Sequence, residues 1–565
     1  MSHRILPAAI LLLLCAAQVR AAENLPSSGV TAQSRQGMVV SVSREASEIG
    51  RATLNQGGNG VDAAVAVGLA LAVTWPEAGN LGGGGFMLVH PGPHQPPIFI
   101  DYREQAPAAT TAEMFAKGIG SPHRQVGVPG TVRGLKLAHE RFGRLPWKSL
   151  VLPAIDLAQN GFLLGPELAK TLNEVLETSG EFPEFLRVYG KDAGKVRWKE
   201  GDRLLQPDLA ATLKIVADEG AEGFYHGRLA ELLVTEMQRG GGLITISDLA
   251  NYQAKIRTPI HGRYRGYDIF SAPPPSSGGT VLVQMLNTVE NFDLRQQGRW
   301  SPRTLHLMVE SMRRAYYDRA RYLGDPDFTP VPEHLTTKEY AAQLAKEISL
   351  TTATPSATLG AEILMRDEGT QTTHYSIIDA EGMAVANTYT LEESFGSRIV
   401  VRGAGYLLNN EMGDFNPKPG ITNAQGLIGT KPNLAAPGKR MLSSMTPVIV
   451  TKEGSPVLIT GSPGGRTIIN TLFCLLINHL EYQFPPRETV DAPRFHHPWM
   501  PDIVTMEGPL RQQYETEIQR LRTAGHTIAP KPIRQGDAHS IFISTETGLR
   551  LGIADQRRDG WGAGQ

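Results

Sequence analysis

The segment Val61–Val73, VDAAVAVGLALAV, carries apolar side chains around nearly its whole circumference. A helix with no polar face cannot rest on a surface and has to be covered on every side. Three other stretches read as β-hairpins: GGFMLVHPGPHQPPIFIDYRE, MTPVIVTKEGSPVLITGSPGG and HSIFISTETGLRLGIADQ, each with two apolar strands around a turn. Hairpins build antiparallel sheets, and helices must cover their apolar faces. A layered α/β (α+β) sandwich follows, with a long amphipathic helix, RTLHLMVESMRRAYYDRARYLG, as one cover.

The 565 residues suffice for two to four average domains or one large core with elaborations. Gly (60) and Pro (39) are frequent enough to argue for many turns and against a helical bundle. Lys and Arg number 55 against 56 Asp and Glu, which excludes broad electrostatic binding of nucleic acid or anionic membrane. GNLGGGGF fails the spacing of a dinucleotide fingerprint and precedes a strand rather than a helix.

At the N-terminus, Arg4 precedes the apolar run Ile5–Val19 and the small residues Ala21 and Ala22, the layout of a secretory signal peptide over residues 1–22. The run is short for a membrane span. Cys15 lacks the preceding small residue of a lipid-attachment site, so removal and a periplasmic or secreted product are expected, with no stable membrane anchor. Beyond the signal only Cys474 remains, so the mature chain forms no internal disulfide.

Residues 349–371 read as a flexible linker, and directly behind it stands TTHYSIIDAEGMAVANTYT. A three-residue loop Ala380–Glu381–Gly382, with Gly last in the left-handed conformation, sets Asp379 opposite Met383. Counting back sets Thr372 opposite Thr390, close enough for their hydroxyls to meet; a two-residue loop would shift that register. Paired threonines at a strand start are ordinarily strand formers and nothing more. Behind a linker they acquire a second reading. If the bond before Thr372 is cut by its own hydroxyl, the freed α-amine becomes a base beside Oγ, an activated N-terminal nucleophile.

The chain resembles the γ-glutamyltransferase (γ-glutamyl transpeptidase, glutathione hydrolase) family. The resemblance runs in order through GNGVDAAVAVGLALAV, GNLGGGGFMLVH, DYREQAP, PPPSSGG, YLGDPDF, TTHYSIID, NNEMGDFNPKPG, LSSMTPVIV, GSPGG and DAPRFHHPW. It implies an αββα sandwich of the N-terminal nucleophile hydrolase type. It also implies a precursor that cuts itself between Gln371 and Thr372 into a large subunit, 23–371, and a small one, 372–565, which stay one folded unit. Thr372 then corresponds to the nucleophile that carries the γ-glutamyl group to water or to amino-acid and peptide acceptors, and Thr390 to its contacting threonine.

The same resemblance gives the remaining sites. Gly464 and Gly465 of GSPGG correspond to the oxyanion donors, Arg103 of DYREQ to the grip on the substrate α-carboxylate, and Ser443 and Ser444 of LSSM to its hydroxyl donors. Glu411 and Asp414 match the positions that hold the α-ammonium. Three residues depart from the family pattern: Glu392 stands where well-known members have Asn contacting the substrate amine, Gly413 replaces an Asp, and Gln425 stands where some members have a lid Tyr. FHHPW, residues 495–499, has no accompanying metal-ligand spacing, and neither metal nor organic cofactor is expected. Two alternatives stay open: a cephalosporin (glutaryl) acylase of the same fold, since Arg103 and the serines suit any acyl chain ending in carboxylate, and an unprocessed scaffold protein.

Overall fold

The computed structural model describes residues 26, 28–115, 120–360, 371–416 and 431–565. The signal segment expected at 1–22 and the Gln425 position lie outside these residues. Among them the strands form an eight-stranded and a seven-stranded antiparallel sheet. The three hairpins expected from sequence are present, as Gly84–His90 with Ile98–Tyr102, Val448–Lys452 with Ser455–Thr460, and Ser540–Ile543 with Arg550–Ile553.

Three apolar layers define the αββα sandwich. Between the sheets lie Met38, Val40, Phe86, Leu88, Ile449, Ile459 and Ile541. Beyond the eight-stranded sheet lies the core built on the apolar helix, and beyond the seven-stranded one a core that joins helices Gly278–Val289, Pro302–Tyr322 and Thr467–Leu476.

The apolar helix runs Gly60–Thr74 with every residue buried, as its sequence requires. Each large aliphatic side chain buried this way contributes about 1.5–3 kcal/mol. Its start is fixed by a capping box between Asn59 and Asp62. The helix also positions the central hairpin, because the buried hydroxyls of Tyr375 and Tyr389 donate to the Ala64 and Gly68 carbonyls, both at 2.8 Å. A Cβ on Gly68 would sit 2.9 Å from the Tyr375 hydroxyl, so the helix and the hairpin approach through that glycine.

Of the linker expected at 349–371, residues 361–370 lie outside the described residues, and the stretch before them is held rather than loose. Ser356 is fully buried, its N–H donates to Asp502 at 2.7 Å, and Trp499 Nε1 donates to its carbonyl at 3.0 Å. Thr354 N–H donates to Glu310, and Ala353 N–H to the Ala524 carbonyl. A Ser/Thr-rich run signals the absence of regular structure, but buried partners elsewhere in the chain decide whether it is held. No helix among the described residues is long and apolar enough to cross a membrane.

Candidate active site

The hairpin Gln371–Ile378/Ala384–Glu392 turns through Ala380–Glu381–Gly382, with Gly382 at φ +90° and Asp379 N–H donating to the Met383 carbonyl. The register is the one the three-residue loop predicts, down to Thr373 opposite Tyr389. One residue earlier it shifts: Gln371 pairs with Glu392, so Thr390 and Leu391 face the single Thr372 across a bulge. Thr372 Oγ1 still donates to Thr390 Oγ1, at 3.4 Å. Thr390 Oγ1 in turn donates to the carbonyl oxygen of Gln371 at 2.8 Å and accepts from Glu392 N–H at 2.8 Å. Glu392 adopts φ +83°, a conformation costly for a residue with a Cβ, and the bulge that requires it aims its N–H at Thr390.

Thr372 opens onto a narrow pocket. Arg103, Thr390, Glu392, Glu411, Asp414, Ser443, Ser444 and Gly465 all line it. Of the expected site residues other than the cleavage-site Gln371, only Gly464 is absent from the lining, one position before Gly465. Both glycines have positive φ, +131° and +54°, and a Cβ on Gly464 would meet Thr467 Oγ1 at 2.5 Å. Among the described residues neither glycine N–H donates to a protein acceptor.

Arg103 is buried and fully engaged. Nη1 lies 2.5 Å from Glu411 and 3.5 Å from Glu104, Nη2 is 2.5 Å from Asp414, and Nε and Nη2 also donate to the Met441 and Leu442 carbonyls. Burial alone would depress its guanidinium, but the adjacent carboxylates outweigh burial and hold it above its usual value. The acids respond oppositely: burial pushes Glu104 up to about 7 and Glu411 well above the carboxylate range, against the pull of Arg103. Among the described residues three carboxyls surround this guanidinium, an arrangement that a proton or a further cation would stabilise.

The serines are set from behind. Ser277 donates through both N–H and Oγ to the Ser443 carbonyl, and Ser443 N–H donates to Pro275. Arg319 donates to Ser277 Oγ at 2.8 Å and to Ser444 Oγ at 3.0 Å. The glycine run before Phe86 serves close approach: a Cβ on Gly83 would lie 2.1 Å from the Thr390 carbonyl oxygen, which also accepts from Asn80 Nδ2 at 2.9 Å.

Thr372, at the start of the hairpin, shares its pocket with Gly465, one arginine, two serines and three acids, and the chain as a whole matches known proteins. The family model described as gamma-glutamyltranspeptidase matches residues 46–565. The chain belongs to the γ-glutamyltranspeptidase family. It is 44% identical over 540 residues to the glutathione hydrolase proenzyme of Escherichia coli, covering 93% of this chain and 91% of that protein. Among solved structures, cephalosporin acylase from Bacillus halodurans superposes with a TM-score of 0.82 at 27% identity, covering 96% of this chain and 98% of that one. The Helicobacter pylori γ-glutamyltranspeptidase matches at 41% identity with a TM-score of 0.55 over 58% of this chain and 96% of its own.

Several supports escaped the sequence reading of this transpeptidase-family site. Arg319 lies on the same helical face as Met312 and Tyr316, and a cation in an otherwise apolar stripe was the signal available. Glu104, Asn80 and Ser277 sit inside the quoted motifs but carried no separate signal. The paired histidines pack structurally: His496 contacts Asn470, and His497 donates to Asp502 at 3.0 Å. His306, Glu310 and His526 converge closely enough to hold a metal ion. However, Arg313 and Arg314 already pair with Glu310, and His306 Nδ1 bonds His526 Nε2 at 2.8 Å. That donor set is neutralised and does not favour a cation.

Proposed function

We propose that the protein is a self-processing γ-glutamyltransferase and hydrolase, exported to the periplasm or secreted, that acts on γ-glutamyl amides such as glutathione. The carrying observation is the convergence of Thr372, Thr390, Gly465, Arg103, Ser443, Ser444 and three acids on one pocket. In the precursor, Thr372 Oγ attacks the Gln371 carbonyl carbon. The tetrahedral intermediate expels the Thr372 nitrogen, which takes up the hydroxyl proton, and an ester remains. Water cleaves that ester, leaving a Gln371 carboxylate and a free Thr372 α-amine. The hydroxyl chain from Thr372 through Thr390 to the Gln371 carbonyl enriches the nucleophile and polarises the carbon it attacks.

In turnover the α-amine accepts the Oγ proton as Oγ attacks the γ-carbonyl. Gly464 and Gly465 N–H groups stabilise the oxyanion, each by about 3 kcal/mol. The amine leaving group departs protonated, and water or an acceptor amine then takes the γ-glutamyl group from the ester. Donor binding exchanges partners: the α-carboxylate replaces an acid on Arg103, and the released acid, with Glu411 and Glu392, takes the α-ammonium. No ion pair is lost in that exchange, and Ser443 and Ser444 complete the carboxylate's hydrogen bonds.

The resemblance to the B. halodurans cephalosporin acylase favours a second reading in which the acyl group is glutaryl. The excess of acids argues against it, since a glutaryl chain has no ammonium to neutralise them. Side-by-side hydrolysis of γ-glutamyl and glutaryl anilides, with and without a dipeptide acceptor, tests the choice. Preference for the γ-glutamyl anilide with stimulation by the dipeptide supports the proposal; preference for glutaryl reverses it.

A further inference from the structure

Gln371 is held by its side chain as well as by its carbonyl. Its Oε1 accepts from Arg558 Nη2 at 2.7 Å, while Arg558 Nη1 donates to Glu77 Oε2 at 2.9 Å. The Arg558 guanidinium also lies over the Trp75 ring at 5.6 Å, and its side chain is 9% exposed. We propose that Arg558, backed by Glu77, is a positioning residue for self-cleavage that fixes the residue on the acyl side of the scissile bond. This rests on the reading that the bond cut is Gln371–Thr372.

Both ends of the tether are rigid. Arg558 sits between Arg557, paired to Glu507 and Asp555, and Asp559, which accepts from Glu167 N–H at 3.0 Å. Glu77 is part of a tight turn in which Gly79 N–H donates to the Trp75 carbonyl, and the Glu77 carbonyl accepts from Phe395 N–H. The group that meets the remaining Arg558 N–H must accept a hydrogen bond, and it need not carry a charge because Glu77 already neutralises the guanidinium. A glutamine amide does this, and an aliphatic residue would leave the donor unpaired.

A tether is needed here because the ladder is interrupted. In a regular strand the pairing on both sides of Thr372 would fix the orientation of the Gln371 carbonyl. The bulge removes that constraint at the bond where Oγ must approach one face of the carbonyl. Arg558 does not line the donor pocket, so its role is confined to the precursor. Its contact also spans the cut, because Gln371 ends the large fragment while Arg558 lies in the small one.

The test follows cleavage of freshly synthesised full-length chain by intact mass, with fragment ends sequenced. Gln371→Ala slows appearance of the fragment about tenfold or more, the effect of losing one charged hydrogen bond in the attack geometry. Gln371→Glu, which can still accept from Arg558, restores the rate to within about threefold. Arg558→Gln is slow as well, and Gln371→Ala/Arg558→Gln is no slower than the slower single variant. Gln371→Ala cleaving at the wild-type rate, Gln371→Glu as slow as Gln371→Ala, or additive single effects would each overturn the proposal. A wild-type fragment beginning elsewhere than Thr372 would overturn the cleavage-site reading together with it.

Discussion

The Thr390 hydroxyl donates to the Gln371 carbonyl oxygen at 2.8 Å, across the bulge at the start of the Gln371–Ile378/Ala384–Glu392 hairpin. It also receives the Thr372 hydroxyl, so one side chain touches both partners of the proposed self-cleavage. Thr390→Ala should therefore slow self-cleavage by about ten- to a hundredfold, while Thr390→Ser, which keeps the hydroxyl, should cleave within a few-fold of wild type. Band densities over a time course of freshly made precursor measure both. Equal rates for the Ala and Ser variants would remove the hydroxyl from the mechanism.

Glu392 combines a left-handed backbone with a carboxylate in the pocket. Asn tolerates that backbone better, so Glu392→Asn should gain up to about 1 kcal/mol in stability. It should also raise KM for γ-glutamyl donors, because a negative charge facing the ammonium is lost. Thermal melts and donor kinetics on the processed enzyme check the two effects separately.

Arg103 balances three buried carboxyls, and its removal has two consequences. Arg103→Ala should destabilise the fold by about 3–5 kcal/mol, as for breaking a buried ion pair. In whatever enzyme matures, donor KM should rise much more than kcat falls. Arg103→Lys should recover part of the stability and little of the affinity, since an ammonium cannot bond a carboxylate bidentately. Denaturant titrations and steady-state kinetics separate the roles.

The anchor of residues 349–358 should weaken in acid. Burial pushes His497 down to about 4, with Arg313 adding to this and Asp502 opposing it, and burial likewise takes His526 to about 3. Both rings are neutral in the fold near neutrality. As pH falls below about 6.5 the unfolded chain takes up protons that the folded one refuses, so stability drops until about pH 4 for His497. Asp502 acts in the same direction: burial raises it, but His497, Ser356 N–H and Arg313 outweigh this and hold it below the usual carboxylate range. Its contribution is present above the unfolded carboxylate pKa and is lost as pH falls through the lower folded value. Glu104, raised to about 7, works oppositely by opposing stability as pH rises from about 4.5. His497→Asn should shrink the loss between neutrality and about pH 4 by about 3 kcal/mol. Denaturant melts at the two pH values measure the change, and an undiminished loss would exclude His497 as its source.

Local patterns carried much of this molecule. The Gly60–Thr74 helix announced its burial because no polar face was available, and the hairpin register followed from a three-residue loop ending in Gly382. The site residues were reached through motif resemblance, and the pocket gathers nearly all of them. What local sequence could not show depends on distant partners. Arg103 meets Asp414 across 311 residues, and nothing near either one indicates that the guanidinium is spent on acids before a substrate arrives. The bulge at Thr372 leaves the apolar alternation undisturbed, because every residue from Thr372 to Ile378 and from Ala384 to Glu392 is buried. Ser356 reads as loop in sequence, and only Asp502, Arg313 and Trp499 make it an anchor.

Intact mass with N-terminal sequencing of the purified protein tests the central claim most directly. The account predicts two fragments, the smaller running from Thr372 to Gln565 and beginning TTHYS, and a Thr372→Ala chain that stays whole. A single uncut wild-type chain, or normal cleavage in Thr372→Ala, would contradict Thr372 as the nucleophile.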